Sequence, residues 1–386
     1  MLNAKQIESF IQFPQPLLTA YLNTRGSEPS RHPPVPESLV WLKQESKLIG
    51  RALSAPERDL FQQQVERIMD FLDKRPPREE AIVIFAGAKA WQLVPLHVPV
   101  ANELRWGRPA VSQLLWLVDE HRSYFVVVVD HKGAHFFRYQ LCELLRTGEK
   151  AFDVDISAWK KKDIGHIAGQ ETQKTRGSQR EVFQRRIDAQ YAHLCAETAK
   201  RAAALFKEYN CAAIILIGED RLSQSIEAVI PREIVPQVST IQEDLAGLTD
   251  CELEKRLKPI VEELEHNQQA AIVSEFLESN QGTVTGIEKS LFQLQQGSVR
   301  KLLLTRELDA DLQQCLKCGW VERTADPQCS ACGGEKLTVT LREVLPDLVK
   351  LHKAGLEIVS GEAASLFRKS GGMGGWLRGS MLAVAR

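Results

Sequence analysis

Tyr124-Phe-Val-Val-Val-Val-Asp130 is the stretch that decides the fold of this chain. It shows no alternation of apolar and polar residues, which is typical of a strand buried on both faces of a sheet. Asp130-His-Lys-Gly133 predicts a turn into a second strand, Ala134–Tyr139. A long helix, predicted from about Gln179 to Tyr209 by apolar residues at three- and four-residue spacing, precedes another buried strand at Ala213–Ile217. Strand, helix and strand in succession indicate an α/β layer.

Strands and helices also alternate on both sides of this layer. On the N-terminal side, two helices are followed by paired strands at Ala81–Phe85 and Trp91–Leu96. On the C-terminal side, a strand at Arg300–Thr305 is followed, after an interruption, by a helix at Leu345–Ala354 and a strand at Leu356–Ser360. We therefore expect an α/β multidomain fold with an N-terminal α/β domain, a middle domain and a C-terminal domain, bounded as 1–118, 119–265 and 266–386.

Composition points to an ordinary globular protein. The 386 residues are 44% hydrophobic and carry a formal net charge of -1, which does not favour DNA binding. No run of 18 apolar residues or secretory signal is seen, so we expect a cytoplasmic protein without a membrane partner. Four scattered cysteines are predicted to be buried thiols in a reducing compartment: Cys142, Cys195, Cys211 and Cys251.

The other four cysteines form two pairs near the C-terminus, Cys315-Leu-Lys-Cys318 and Cys329-Ser-Ala-Cys332. Each two-residue spacing lets both thiolates reach one metal ion, and two such pairs complete a tetrahedral site. The alternative is surface cysteines at accidental spacing. Four thiolates leave no open position for catalysis, so we predict one structural zinc ion. Because strand and helix patterning resumes afterwards, the zinc unit (about 309–342) is predicted to be an insertion.

A polar segment from Trp159 to Arg180 shows no apolar periodicity and is predicted to be a loop. Lys174-Thr-Arg-Gly-Ser-Gln179 stands at its end, just before the long helix, where free amides and the helix dipole favour anions. Cations outnumber acids nearby, which suits phosphate-rich RNA; the candidate RNA-binding residues are Lys174, Arg176, Arg180, Arg185 and Arg186. The alternative is a solvated, mobile loop beside a helix cap.

The chain resembles the archaeal and eukaryotic class-1 peptide chain release factors and their bacterial relatives. Arg176-Gly-Ser-Gln179 is similar to that family's Arg-Gly-Gly-Gln segment, and Phe125–Asp130 is similar to the start of its middle domain. Val284–Leu308 is similar to the opening of the third domain, and two further stretches, Gly355–Ser360 and Phe367–Arg378, are similar to its end. The resemblance implies an RNase H-like middle domain and an L7Ae-like third domain that carries the inserted zinc ribbon.

The resemblance also implies binding in the ribosomal A site, next to rRNA and the P-site tRNA. We expect a monomer, with a translational GTPase as a candidate partner; the sequence leaves open whether such a GTPase delivers the protein. In the family, the glutamine backbone N–H faces the oxyanion that develops as water attacks the peptidyl-tRNA ester. The residues that match this role are Gly177, Ser178 and Gln179. A preorganised amide donor at such a position is worth about 3 kcal/mol in the transition state.

The sequence departs from the family pattern in two places. The second glycine of the loop is Ser178, and a positive φ at this residue would cost about 1 kcal/mol or more. The Asn-Ile-Lys-Ser loop between two N-terminal helices has no counterpart beyond the short link Ala55–Arg58. Codon-specific termination is therefore not expected.

Three functions are consistent with these observations. The first is a codon-independent release or rescue factor that hydrolyses peptidyl-tRNA on stalled ribosomes. The second is a ribosome hibernation or A-site-binding factor of the Pelota-like or Balon-like kind, which uses the same cationic surface without chemistry. The third, an RNA-cleaving middle domain, is disfavoured because no metal-binding carboxylate cluster is visible in the sequence.

Overall fold

The computed structural model describes residues 4–24, 37–75, 77, 79–153, 172–279, 281–324 and 326–379, with backbone alone for 4, 5, 172–180, 182 and 183. Among these residues the chain forms four sheets flanked by helices, so the predicted multidomain α/β architecture is confirmed. No helix within the described ranges is both long enough and apolar enough to cross a membrane.

The N-terminal elements form an antiparallel sheet in the order β3-β2-β1-β4. Its core is formed by the inward faces of the central strands and of two long helices, with Phe61 and Ile68 fully buried. The two central strands are covered on both faces, because every residue of Ala81–Ala86 and all but the last of Leu17–Asn23 are buried. In chain order, the elements are α1 (Ala4–Ile11), β1 (Leu17–Asn23), α2 (Glu37–Ala52), α3 (Ala55–Lys74), β2 (Ala81–Ala86), β3 (Trp91–Leu96), β4 (Glu103–Gly107) and α4 (Ser112–Glu120).

The middle elements form a five-stranded sheet in the order β7-β6-β5-β8-β9. Every residue of the predicted strand Tyr124–Val129 is buried, as is every residue of Ala213–Gly218, which confirms the prediction of strands covered on both faces. These two strands pair in parallel, and the helix between them packs along the sheet. The elements are β5 (Tyr124–Val129), β6 (Gly133–Gln140), β7 (Glu143–Ala151), α5 (Thr172–Glu208), β8 (Ala213–Gly218), α6 (Asp220–Glu227), a 3₁₀ turn (Val235–Gln237), β9 (Val238–Ile241) and the start of α7 (Asp250–Glu278).

Helix α5 begins earlier than the sequence pattern predicts. It starts at Thr172, so Lys174–Gln179 form helical turns and the prediction of a loop up to Arg180 is wrong for this part. The segment is rich in Gln, Lys and Arg, which are good helix formers, and it contains no proline. Apolar periodicity could not reveal it, because its residues are polar on every side. The remainder of the predicted loop, 159–171, lies outside the described residues.

The C-terminal elements form two sheets. A four-stranded sheet has the order β10-β16-β11-β15, and a smaller sheet, β13-β12-β14, carries the four paired cysteines. The smaller sheet lies in sequence between β11 and α9, at the predicted position of an insertion. The elements are β10 (Thr283–Thr285), α8 (Ile287–Gln295), β11 (Val299–Thr305), β12 (Asp311–Cys315), β13 (Val321–Glu322), β14 (Lys336–Thr340), α9 (Leu341–Leu351), β15 (Gly355–Val359), α10 (Gly361–Arg368) and β16 (Met373–Leu377).

The chain divides into two compact units. One spans Arg122–Lys258, and the other joins Leu2–His121 to Pro259–Arg386. In the second unit, α4 docks on the C-terminal elements: the Trp116 indole N–H donates to the Arg342 carbonyl at 3.0 Å. Glu120 pairs with Arg306 at 2.8 Å, and Arg105 of β4 pairs with Glu343 of α9. The N-terminal and C-terminal elements therefore pack as one body.

The scattered cysteines only partly match their prediction. Cys195 and Cys211 are buried in the core of the middle unit, and burial raises the pKa of both thiols. Cys142 is half-buried. Cys251 is exposed, and the prediction of a buried thiol is wrong there, because this residue lies on the outward side of α7 near its first turn.

Gly218 ends β8 where the strand passes close to β5. A Cβ atom at this position would lie 2.5 Å from both the Val129 carbonyl oxygen and its Cγ1 atom. We expect Gly218→Ala to lower the free energy of unfolding of the middle unit by about 2 kcal/mol, because neither backbone nor the buried valine can move away. Urea denaturation would measure this loss. Gly247→Ala is the control, because a Cβ at Gly247 meets nothing within 4 Å; equal stability of the two variants would contradict the prediction.

Candidate metal centre and glutamine segment

The structure brings the four predicted cysteines together. Cys315 ends β12, Cys318 lies in the turn that follows, and Cys329 and Cys332 lie in a second turn before β14. All four sulfur atoms lie within 4.8 Å of one another. The Cys315 and Cys332 sulfurs are 3.5 Å apart, and the Cys318 and Cys329 sulfurs are 3.7 Å apart.

These distances fit a tetrahedral thiolate site. With metal–sulfur bonds of about 2.3 Å, the edge of such a tetrahedron is about 3.8 Å. Backbone N–H groups also point at the sulfurs: Lys317 N–H donates to the Cys315 sulfur at 3.4 Å, and Ala331 N–H donates to the Cys329 sulfur at 3.4 Å. Such bonds stabilise thiolates, the form that binds metal.

The thiols also influence one another's protonation. The backbone N–H of Cys318 is the main cause that lowers the pKa of Cys315 to about 6. At Cys318 the backbone N–H of Trp320 lowers the pKa, but bonds to the neighbouring sulfurs and burial outweigh it, and the pKa rises to about 12. These opposite shifts favour a Cys315 thiolate beside a Cys318 thiol.

The two turns depend on glycine. Gly319 has a φ of +75° and donates its N–H to the Cys315 carbonyl at 3.0 Å. Gly333 has a φ of +69° and donates to the Cys329 carbonyl at 2.8 Å. Both residues therefore occupy the left-handed region that favours glycine. Each one ends the tight turn that holds one pair of cysteines. In the sequence, Gly319 and Gly333 directly follow Cys318 and Cys332.

The cysteine-bearing sheet is seated on the C-terminal core. Leu312 and Val321 are buried there beside residues of α8 and α9. The Gln295 side chain pairs with the Val321 backbone in both directions, donating to its carbonyl at 2.8 Å and accepting its N–H at 2.7 Å. Sequence reasoning missed Gln295, because a glutamine in the last turn of a helix resembles any solvated surface residue.

The glutamine segment occupies the first turns of α5. Lys174, Arg176, Arg180 and Gly177–Gln179 are all helical, and their side chains lie outside the described residues. Arg185 and Arg186, the remaining predicted RNA-binding residues, are exposed. Acids also line this helix: Asp188 pairs with Arg221 at 3.1 Å, and Glu197 pairs with Lys150.

The cysteine cluster gives a direct test of metal binding. We expect the purified chain to hold one equivalent of metal, and Cys315→Ser/Cys329→Ser to hold none, because the double change removes one sulfur from each knuckle. Elemental analysis after desalting measures the content. Cys251→Ser is the matched control, because this exposed thiol lies outside the cluster. Undiminished metal in the double variant would rule out the site.

Comparison with known proteins gives one family match. Residues 109–243 match the model of "Bacterial archaeo-eukaryotic release factor family 10", and this segment contains the central sheet of the middle unit and Gly177–Gln179. No curated protein sequence matches the chain.

Solved structures of similar proteins show low likeness. An archaeal translation termination factor, aRF1, is 14% identical over 97% of this chain and 96% of its own, with a TM-score of 0.24. Archaeal Pelota, described as ribosome-bound with ABCE1, is 12% identical over 98% and 95%, with a TM-score of 0.41. Dom34 of S. cerevisiae is 11% identical over 77% and 80%, with a TM-score of 0.39. The likeness therefore rests on the family match: residues 109–243 of this chain are similar to a bacterial family of archaeo-eukaryotic release factors.

Proposed function

We propose that this chain is a ribosome-associated, codon-independent release or rescue factor that hydrolyses peptidyl-tRNA on stalled ribosomes. The observation that carries the proposal is the family match over residues 109–243, which includes Gly177-Ser178-Gln179. In this proposal the chain acts in the cytoplasm as a monomer in the ribosomal A site, contacts rRNA and the P-site tRNA, and is delivered by a translational GTPase.

The domain assignment is part of the same proposal. Residues 119–265 form an RNase H-like domain, for which the sheet order β7-β6-β5-β8-β9 with its parallel strands β5, β8 and β9 is the support. Residues 266–386 form an L7Ae-like domain, and residues 1–118 form the N-terminal domain. The cysteine-bearing sheet within about 309–342 is a zinc ribbon inserted between β11 and α9.

Zinc in this proposal has a structural role. Cys315, Cys318, Cys329 and Cys332 hold it, and their spacing and sulfur distances fit its tetrahedral preference. Four protein ligands leave no position for water or substrate, so the ion stabilises the ribbon and supplies no chemistry to hydrolysis.

Hydrolysis requires a free backbone donor at Gln179. Gln179 is the eighth residue of α5, and N–H groups beyond the first four residues of a helix bond within the helix. The proposed mechanism therefore includes unwinding of the first turns of α5 on the ribosome, after which the Gln179 N–H can face the developing oxyanion. Gly177 favours this step, because glycine in a helix interior costs about 1 kcal/mol relative to alanine. The glutamine side chain would then position the attacking water.

The helical state of this segment also favours a second candidate function. If the first turns of α5 stay helical, the Gln179 N–H keeps its hydrogen bond within the helix and cannot stabilise an oxyanion. The chain would then act as a non-catalytic ribosome hibernation or A-site-binding factor, using exposed cations such as Arg185 and Arg186. Ser178 in place of a second glycine agrees with this reading, because serine resists the positive φ that a glycine adopts freely.

A release assay separates the two functions. Ribosomes that carry labelled peptidyl-tRNA and an empty A site would be mixed with the protein, and both released peptide and co-sedimenting protein would be measured. We expect release by the wild type and a loss on the order of a hundredfold in Gln179→Ala, because a misplaced water reacts slowly. Gln184→Ala is the matched control, an exposed glutamine on the same helix. Binding without release would favour hibernation, and release unchanged by Gln179→Ala would exclude the role of the glutamine side chain in positioning the attacking water.

A change at Gly177 tests the unwinding step. Gly177→Ala should stabilise the wound helix by about 1 kcal/mol and slow release roughly fivefold, while ribosome binding is unchanged. Single-turnover release kinetics measure the rate, and amide hydrogen exchange over residues 172–180 measures the winding. Slower exchange with an unaltered release rate would show that hydrolysis does not pass through an unwound segment.

A further inference from the structure

A buried polar network joins the two knuckles of the cysteine-bearing sheet. Glu322, the last residue of β13, accepts the Ser330 backbone N–H at 3.2 Å through Oε1 and the Ser330 hydroxyl through Oε2. The Lys336 ammonium donates to Glu322 Oε1 at 3.0 Å and to the Thr324 hydroxyl at 3.0 Å. Both carboxylate oxygens and the lysine charge therefore have partners.

The two charged side chains of the network are shielded from water. The Lys336 side chain is 2% exposed and that of Glu322 is 10% exposed. Burial raises the pKa of the Glu322 carboxyl, but the bonds to Ser330 and Lys336 together outweigh it and keep the pKa below its ordinary value. A buried ion pair contributes little to stability by itself, because desolvation offsets the attraction, and its best-attested use is to fix a geometry.

Residues of the network are neighbours of the metal-site cysteines, either along the chain or across the strand pair. Ser330 directly follows Cys329, and Lys336 lies opposite Cys315 in the register of β14 and β12. Glu322 stands just after the first knuckle, on the strand that Gln295 holds to α8. The second knuckle is thus tied to the first, and through it to the core, by contacts that do not include a sulfur atom.

We propose that Glu322 is a positioning residue for the metal site. Through Ser330 and Lys336 it holds Cys329 and Cys332 at binding distance from the first pair before a metal ion arrives. This preorganisation raises the affinity for a tetrahedral divalent cation and slows its release. The proposal rests on the metal site proposed above and is independent of ribosome binding and hydrolysis.

The test compares metal binding by Glu322→Gln and Glu335→Gln in the full-length protein. Glu335 is an exposed glutamate in the same lobe, so its change removes the same charge without touching the network. Zn²⁺ affinity is measured by competition with a chromophoric chelator, and Co²⁺ spectra report the coordination geometry. We expect Glu322→Gln to bind Zn²⁺ at least about tenfold more weakly, a typical loss when a partner behind the ligands is removed. Glu335→Gln should bind as the wild type does.

Ser330→Ala provides a milder variant that keeps the fold. It removes only the hydroxyl bond to Glu322, and we expect a smaller loss of affinity in the same direction. At saturation, both network variants should retain the Co²⁺ absorption bands of a tetrahedral thiolate site, because none of the four ligands has changed. In the metal-free protein, amide exchange around Cys329 should be faster in Glu322→Gln than in Glu335→Gln.

The outcomes separate this inference from the metal site itself. Equal Zn²⁺ affinity in Glu322→Gln, Glu335→Gln and the wild type would overturn the positioning role and leave the site intact. A drop in melting temperature with unchanged affinity would also overturn it, because the network would then serve stability alone. A wild-type protein that binds neither Zn²⁺ nor Co²⁺ would overturn the site and the inference together.

Discussion

The parallel pairing of β5 with β8 is the constraint on which the middle unit depends. Both strands are covered on both faces, so a helix must lie against the sheet along most of their length. The C-terminal half of α5 meets this need with small and aromatic side chains, among them Ala199, Ala202 and Phe206. By contrast, Arg185 and Arg186 near its start are exposed. The helix is therefore anchored at one end, and the glutamine segment lies at the other.

This anchoring gives the two proposed functions a common structural basis. The end of a helix needs less free energy to unwind than its interior, since fewer hydrogen bonds oppose the change. In the proposal above, unwinding of this helix end decides between hydrolysis and binding alone. The cysteine-bearing sheet belongs to the other compact unit, and four thiolates around one ion would leave no position for substrate.

The sequence predicted those features that leave a local pattern. Four consecutive valines within Phe125–Asp130 indicated a strand buried on both faces, and the spacing of the cysteines indicated a shared site; the structure has both. The first turns of α5 were missed, because a helix that is polar on every side has no apolar period. Glu322 and Lys336 were missed for a related reason: in the sequence a buried ion pair looks like two solvated charges.

Contacts between distant parts of the chain were also beyond the sequence patterns. Nothing near Trp116 indicates that its indole will donate to a residue 226 positions later, or that Arg105 will pair with Glu343, 238 positions away. Likewise, the bounds 1–118 and 266–386 separate elements that the structure packs as one body. Such pairings arise from complementary surfaces, which a single sequence does not display.

The docking of α4 has a consequence for synthesis of the chain on the ribosome. The surface that receives Trp116 is built from residues that emerge more than 200 positions later, so the N-terminal elements are made long before their partner exists. Contacts of such high sequence separation form slowly, because a long loop must close first. The middle unit is contiguous in sequence and can fold during synthesis, whereas the other compact unit is complete only when its C-terminal residues have been made. The side of α4 that carries Trp116 is therefore uncovered on the nascent chain until the residues around Arg342 have been made.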